Sequence, residues 1–464
     1  MLTYIKINGF KSFHDFEMTF TPFTVIAGAN ASGKSNLFDA LKLLGRLAET
    51  DNLKKAFKEQ RGEFIELFTL YGEGNYSTEM EFVVEMLVNR KIKDAWGNET
   101  NLKYTRLKYE LKIKRFTNSS GIEDLAVTYE SLENLKHQED KWISLILENN
   151  LEKNLENWRP KVVTGKRDIP YIQTIDEDNK LKINLYQDTL NRKTISKVFN
   201  LHNAIRTVLS SIDTIEFPHV LAAKEEMRSW QFLELNPEDL RQPTSKNNGE
   251  DTLSQSGKNL AAVLYRIKQE DPYILKEISR KLQTFLPNFI EVDVIDDTEN
   301  KQYLIKLKDK DKKEYSSRVL SEGTLRILTL CILEYDDKHT GLLCFEEPEN
   351  GIHPFRIDAM AQLLKGLSTD FTDTDMPLHQ VIVNTHSPVL VNHIFHWQHD
   401  NNVSIWYAEM RNRVTDIQNK RMALSVTSIL PVIKDNNKQM MLSFSEQDRK
   451  LTLSVVKNYL ETAS

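Results

Sequence analysis

The 464-residue sequence predicts an α/β protein, a parallel sheet whose strands come from both ends of the chain, divided in sequence by a large mixed α/β insertion. Three observations predict it. A glycine-rich loop stands between an apolar strand and an amphipathic helix near the N-terminus. Two continuous apolar runs in the C-terminal third end on polar residues, as strands buried on both faces do. The long stretch between these ends mixes strand-like and helix-like segments.

Bulk composition sets limits before any motif is read. A 40% hydrophobic chain of this length supports a sizeable core and about two to four domains. Only Cys331 and Cys344 are present, which excludes cysteine-rich zinc modules, and no charged-then-apolar leader opens the chain, so a reduced, cytoplasmic protein is expected. Apolar runs fall short of the roughly 20 residues that a membrane-spanning helix needs. A net charge of −6 argues against a surface that coats nucleic acid over its whole area. DNA contact would require a local basic patch or a partner.

The opening LTYIKINGFKSF…FEMTFTPFTVIAG reads as strand, turn, strand and then a buried strand through Phe23, Val25 and Ile26. GANASGKS follows, and Leu37, Leu41, Leu44 and Leu47 then recur at helical spacing. Gly28, Gly33, Lys34 and Ser35 match G-x-x-x-x-G-K-S, in which backbone N–H groups and a helix N-terminus surround phosphates. The expected nucleotide contacts are therefore Gly28, Ala29, Asn30, Ala31, Ser32, Gly33, Lys34, Ser35 and Asn36. Lys34 would reach the β- and γ-phosphates, and Ser35 would ligate Mg²⁺.

In GLLCFEEPENGIHP the run Leu342 to Phe345 suits a buried strand with Glu346 and Glu347 emerging at its carboxyl end, where α/β sheets bind ligands. Glu346 is assigned to the metal and Glu347 to the attacking water. In RVLSEGTLRILTLCILEY, Ser321 and Gly323 open an amphipathic helix, a place where Ser also serves as a plain N-cap. In HQVIVNTHSPVLV another buried strand ends just before His386.

The order of phosphate loop, LSEG, EEPE-x-x-x-HP and T-H-S-P resembles the RecF- and SMC-like branch of ABC ATPases, a P-loop NTPase head of ABC type. Within that branch it is similar to the overlapping-lysogenization-defect-like AAA ATPases of bacterial antiviral systems, the Septu ATPase subunit and, more distantly, those of PARIS and Gabija. The segments SWQFLELNPEDLRQP and GKNLAAVLYRIKQEDP resemble the stretch such proteins carry before their signature helix. The resemblance implies ATP and Mg²⁺ as cofactors and ATPase activity. It implies that Ser321, Glu322 and Gly323 serve the nucleotide of an opposing subunit, hence a homodimer or higher oligomer through the heads. It also implies that His386 is the switch histidine beside the γ-phosphate and that Gln60, in KEQRGEF, joins the nucleotide site to the helical lobe. Two residues depart from the pattern: Glu346 stands where most such heads have Asp, and Glu322 puts a negative charge into the signature. The longer Glu346 suits slow hydrolysis, and both departures suit a head that senses or is gated by ATP as well as one that turns over quickly.

The expected division is 1–75 and 316–425 for the two parts of the head, 76–315 for the insertion and 426–464 for a helical tail. Within the insertion, 128–160 reads as helices of ordinary length without the sustained heptads of SMC arms, and 243–259 as a mobile loop. The stretches 102–116 and 301–315 are basic and strand-like; each could touch a DNA backbone or be a solvated surface. The stretch after His386 is too short for a Toprim domain, and no HNH pattern is present. A separate effector protein, a nuclease of HNH or Toprim type, is therefore expected, with the head as its ATP-controlled scaffold. The alternatives are a RecF-like repair ATPase that binds DNA directly and, disfavoured by the long insertion, a transporter's nucleotide-binding subunit.

Overall fold

A computed structural model of the chain describes residues 1–72, 74–147, 155–160, 167–188, 195–247, 250–371, 378–397, 399–417 and 420–432. The chain opens with β1 (Leu2–Asn8), β2 (Phe16–Thr19) and β3 (Phe23–Ala27), followed by α1 (Lys34–Glu49) and α2 (Leu53–Lys58). The middle supplies β4 (Glu79–Leu87), the small pair β5 (Lys91–Lys93) and β6 (Glu99–Asn101), β7 (Arg106–Thr117) and β8 (Glu123–Asn134). Then come α3 (Lys141–Leu147), α4 (Leu155–Trp158), β9 (Ile172–Glu177), β10 (Lys180–Tyr186) and β11 (Ile195–Asn200). A return toward the head brings α5 (Pro218–Arg228), β12 (Gln231–Leu233), α6 (Pro237–Arg241), β13 (Thr244–Ser245), α7 (Leu260–Glu270) and α8 (Ile274–Phe285). The remainder is β14 (Phe289–Asp297), β15 (Gln302–Asp309), β16 (Glu314–Ser316), α9 (Glu322–Glu334), β17 (Gly341–Glu346), α10 (Ile357–Gly366), β18 (His379–Thr385), α11 (Pro388–Phe395), β19 (Val403–Ile417) and β20 (Lys420–Pro431).

The head sheet has the order β12-β17-β18-β3-β19-β20. All its pairings are parallel except the final β19–β20 hairpin. Its central strands are buried on both faces because period-two alternation sends Ile26, Leu342, Cys344 and Ile382 into one core and Phe23, Val25, Leu343, Phe345, Val381 and Val383 into the other. α1 and α5 share the first core with an eight-stranded sheet of order β11-β10-β9-β8-β7-β4-β1-β2. α7 to α11 and the β14–β15 pair share the second.

Several expectations are corrected. Residues 128–134 belong to strand β8 rather than to a helix, and α3 and α4 are short. The charged pattern misleads because Glu130 is fully buried, its carboxylate accepting the backbone N–H groups of Val208 and Leu209. A buried, satisfied glutamate has the sequence signature of a surface one. The helical tail expected from residue 426 starts instead as strand, since Val426 to Pro431 continue β20 in register with Trp406 to Arg411; residues 433–464 lie outside the described residues. The insertion is not one separate body either. β4 pairs directly with β1, so the eight-stranded sheet continues across residue 75, and β12 returns to the head sheet beside β17. In 243–259, Thr244 and Ser245 form β13, and buried Asn259 ties the loop by bonding the carbonyl of Thr252 and the N–H of Ser254.

Candidate functional site

The phosphate loop is shaped by its backbone. β3 is buried throughout and delivers the chain to Gly28; Ala31 at φ 63° and Gly33 at φ 86° then turn it in the left-handed region before α1 begins at Lys34. Lys34 is buried, and its ammonium donates to the carbonyls of Gly28 and Ala29, at 2.8 Å each. Burial pushes its pKa down, while the charges of Glu347, Glu349 and Glu346 pull it back up. A cation without a counter-anion in its own loop feels three carboxylates from the end of β17 and the turn after it.

Sheet register brings those strands to one level. Glu346 lies beside Asn384, and Asn384 beside Ile26, so the ends of β17, β18 and β3 converge on the start of α1. Asn384 donates to the Ser35 hydroxyl at 3.3 Å, and its Oδ1 is buried without a partner. Burial raises the Glu346 pKa, opposed by the Arg61 charge and a hydrogen bond with Ser35. Ser35 Oγ, Glu346 and Asn384 Oδ1 are oxygen donors of the kind hard divalent cations prefer. Among the described residues no three His, Cys, Asp or Glu side chains gather around a metal position, so Mg²⁺ here would depend on these oxygens together with phosphate and water.

Glu347 adopts φ 46°, an unusual conformation for a non-glycine residue, fixed by its N–H bonding the Asn384 carbonyl at 2.8 Å. This turn separates it from Glu346. Glu347 Oε1 lies 3.0 Å from His386 Nδ1, and Oε2 accepts from Asn350 at 2.8 Å. Glu349 folds inward instead: Thr385 donates to its Oε1 at 2.5 Å, its Oε2 is buried without a partner, and burial raises its pKa. His386 Nδ1 stands 3.9 Å from Glu349 as well. The histidine thus sits between a half-buried and a buried carboxylate.

Ser321 caps α9, its Oγ accepting from the Thr324 N–H at 3.3 Å and contacting Thr324 Oγ1 at 2.8 Å. Glu322 is turned away into an ion pair with Arg326, at 3.0 and 2.9 Å, and Arg326 also bonds the Leu235 carbonyl. The negative charge that the signature seemed to carry is thereby neutralised within the helix. Gly323 packs against the turn after EEPE, where a Cβ would stand 2.8 Å from the Gly351 carbonyl. Among the described residues no hydrogen bond or ion pair joins Ser321 to the phosphate loop.

Gln60 is buried, its amide donating to the Ala56 carbonyl at 3.2 Å and its Oε1 left without a partner. Arg61, next along, is the residue that reaches toward the site. It bonds Asp39 of α1 at 3.1 and 2.9 Å, Lys11 holds the other Asp39 oxygen at 2.6 Å, and the Arg61 charge acts on Glu346. Asn384, Glu349 and Arg61 were missed in the sequence because their roles depend on neighbours from other strands. Asn384, the first polar residue after the run VIV, carried a faint signal. In the basic stretches, Lys108 and Lys112 pair with Glu110 and Glu81, Lys306 and Lys308 with Glu314 and Glu291, and Arg106 is buried against Asp140. The charges of these residues are thus compensated by neighbouring carboxylates.

The family described as "AAA domain, putative AbiEii toxin, Type IV TA system" matches residues 23–392, from β3 to α11 and well over half of the chain. The chain belongs to that family. This AAA-family chain matches no curated protein significantly. Among solved structures it is similar to the Smc head bound to the C-winged helix domain of ScpA, with 15% identity, 95% of this chain and 99% of that chain covered and a TM-score of 0.47. It is similar also to the SMC head domain from Thermotoga maritima, with 12% identity, coverage of 93% and 99% and a TM-score of 0.38. The Smc head domain with an extended coiled coil bound to the C-terminal domain of ScpA, from Pyrococcus furiosus, gives 12%, 98%, 99% and 0.42. The family match supports a P-loop ATPase. Among the described residues no helix is long and apolar enough to cross a membrane.

Proposed function

We propose that this chain is an ATP-hydrolysing head that works in the cytoplasm as a homodimer or higher oligomer and gates a separate effector, a nuclease of HNH or Toprim type, in antiviral defence. The observation that carries the ATPase part is the convergence of Lys34, Ser35, Glu346, Asn384 and the Glu347–His386 pair at the carboxyl ends of three adjacent parallel strands. The backbone of residues 28–36 and the Lys34 ammonium bind the phosphates. Ser35, Glu346 and Asn384 would hold Mg²⁺, which would neutralise phosphate charge. Glu347 orients a water and accepts its proton, held in place by Asn350 and His386. His386, poised between Glu347 and Glu349, responds to the γ-phosphate, and Ser321 with Gly323 of a second copy closes the site from outside. Gln60 and Arg61 connect the site to the neighbouring lobe.

The gating part rests on chemistry and on family. Glu346 is longer than the aspartate usual at such a position, which shifts its carboxylate relative to a metal and disfavours fast turnover. The family description names a "putative AbiEii toxin" of a "Type IV TA system", which suits a defence setting. The ion-paired lysines of β7 and β15 offer little free positive charge for direct DNA binding. Expression of the intact operon followed by affinity purification tests the proposal. A nuclease that co-purifies and whose activity changes with ATP supports it; a chain that purifies alone and binds duplex DNA with a steep salt slope would establish the repair reading instead.

A further inference from the structure

The two glycines that open and close the phosphate loop are where the β19–β20 hairpin comes down on it. A Cβ on Gly33 would stand 1.8 Å from Thr427 Oγ1, and one on Gly28 would stand 2.4 Å from the Ala408 carbonyl. Close approach, as much as the turn itself, therefore requires glycine at both positions. The hairpin is fixed there because β19 continues the parallel sheet beside β3, pairing Tyr407 with Ala27, while β20 pairs back along β19.

Thr427 is also tied to the residue that follows the G-K-S motif. Asn36 Nδ2 can only donate, so the Ser12 hydroxyl accepts from it at 2.7 Å. That leaves the Ser12 proton for Thr427 Oγ1 at 2.6 Å, and the Thr427 proton for Met410 Sδ at 3.5 Å. The Thr427 N–H in turn bonds the Ser12 carbonyl at 2.9 Å. A directed chain of hydrogen bonds runs from the first turn of α1, through the β1–β2 turn, to the hairpin, and Thr427 is buried at its centre.

We propose that Thr427 is a positioning residue of the ATP site: through Ser12 and Asn36, and by its packing on Gly33, it holds the phosphate loop in the shape that accepts a triphosphate. The inference rests on the phosphate-loop reading. Thr427 itself does not touch the nucleotide.

The test is ATP titration by calorimetry on the full chain. Thr427→Val keeps the shape but removes the hydroxyl, stranding the Ser12 proton, and should weaken ATP about tenfold. Thr427→Ser restores the hydrogen bond and should bind within about twofold of the native chain. Amide hydrogen exchange over residues 28–36 should rise in Thr427→Val while that of β18 stays unchanged, a difference that general destabilisation does not produce. If Thr427→Val does not fold, Ser12→Ala interrupts the same chain from its other end and should show the same tenfold loss. Native affinity in Thr427→Val or Ser12→Ala, or failure of Ser to rescue, overturns the inference. A native chain that does not bind ATP at all overturns the phosphate-loop reading itself; one that binds ATP in a Lys34-dependent way, with Thr427→Val unchanged, overturns only the role of Thr427.

Discussion

Glu347 is held in the left-handed region where Glu346, one residue earlier, is ordinary strand, and the turn between them gives two adjacent carboxylates different tasks. Glu346 faces Ser35 and Asn384, whereas Glu347 faces His386 and Asn350. Glu347→Gln preserves the bond to Asn350 while removing the base. It should leave ATP affinity within about threefold, slow phosphate release by about a hundredfold or more, and accumulate ATP-bound dimers on size-exclusion chromatography. Undiminished phosphate release would show that another group orients the water. Lys34→Ala removes the cation that three carboxylates otherwise leave the site short of. ATP affinity should fall by about a hundredfold, the ~3 kcal/mol scale of a charge-assisted contact, and unchanged affinity in calorimetry would remove the phosphate-loop assignment.

At the scale of elements, the edge of the head sheet is pinned by a buried histidine. His339, in the turn before β17, contacts Gln231 Oε1 of β12 at 3.1 Å, and its ring lies 5.8 Å from that of His379 on β18. Burial, with some help from His379, lowers the His339 pKa to about 3. An unfolded histidine titrates near 6.5, so the unfolded chain binds the extra proton first. The stability this neutral histidine contributes is complete above about pH 6.5 and lost as pH falls from there toward 3. By pH 5 the loss should reach about 2 kcal/mol. Urea denaturation of the native chain and of His339→Gln at pH 7.5, 6 and 5 measures it: the variant starts less stable, and the gap should narrow with acidity. Parallel curves would mean that His339 is not the titrating group. Elements also explain the failures of pattern reading. β8 looked helical because a glutamate with all its acceptors satisfied indoors resembles one in water, and β20 looked like tail because its strand character depends on twelve paired positions of β19.

For the whole molecule, the head is assembled from the first fifty residues, a short return at β12 and the stretch from α9 to β20, while the eight-stranded sheet grows out of β1 without a break. If Ser321 serves a second copy's nucleotide, two inactive variants can complement each other. In an equimolar mixture of Lys34→Ala and Ser321→Arg, half the dimers are mixed and one of their two sites is intact. Hydrolysis should return to about a quarter of the native rate. No recovery on mixing, with each variant still folded, would place the signature in the same chain's site or give it only the capping role that Ser321 already has.

The linear order of residues was sufficient for the split α/β head, the phosphate loop and the two C-terminal strand ends, because each is written in adjacent residues whose spacing carries its own geometry. It also marked Glu347 and His386, although not that they touch. Tertiary structure alone decided the rest. Asn384 faces Ser35 through the register of β18 beside β3, Arg61 reaches Glu346 across Asp39, and Thr427 seals Gly33 from nearly four hundred residues away. Such contacts leave no local pattern, since a sheet joins residues by register and a chain records only neighbours.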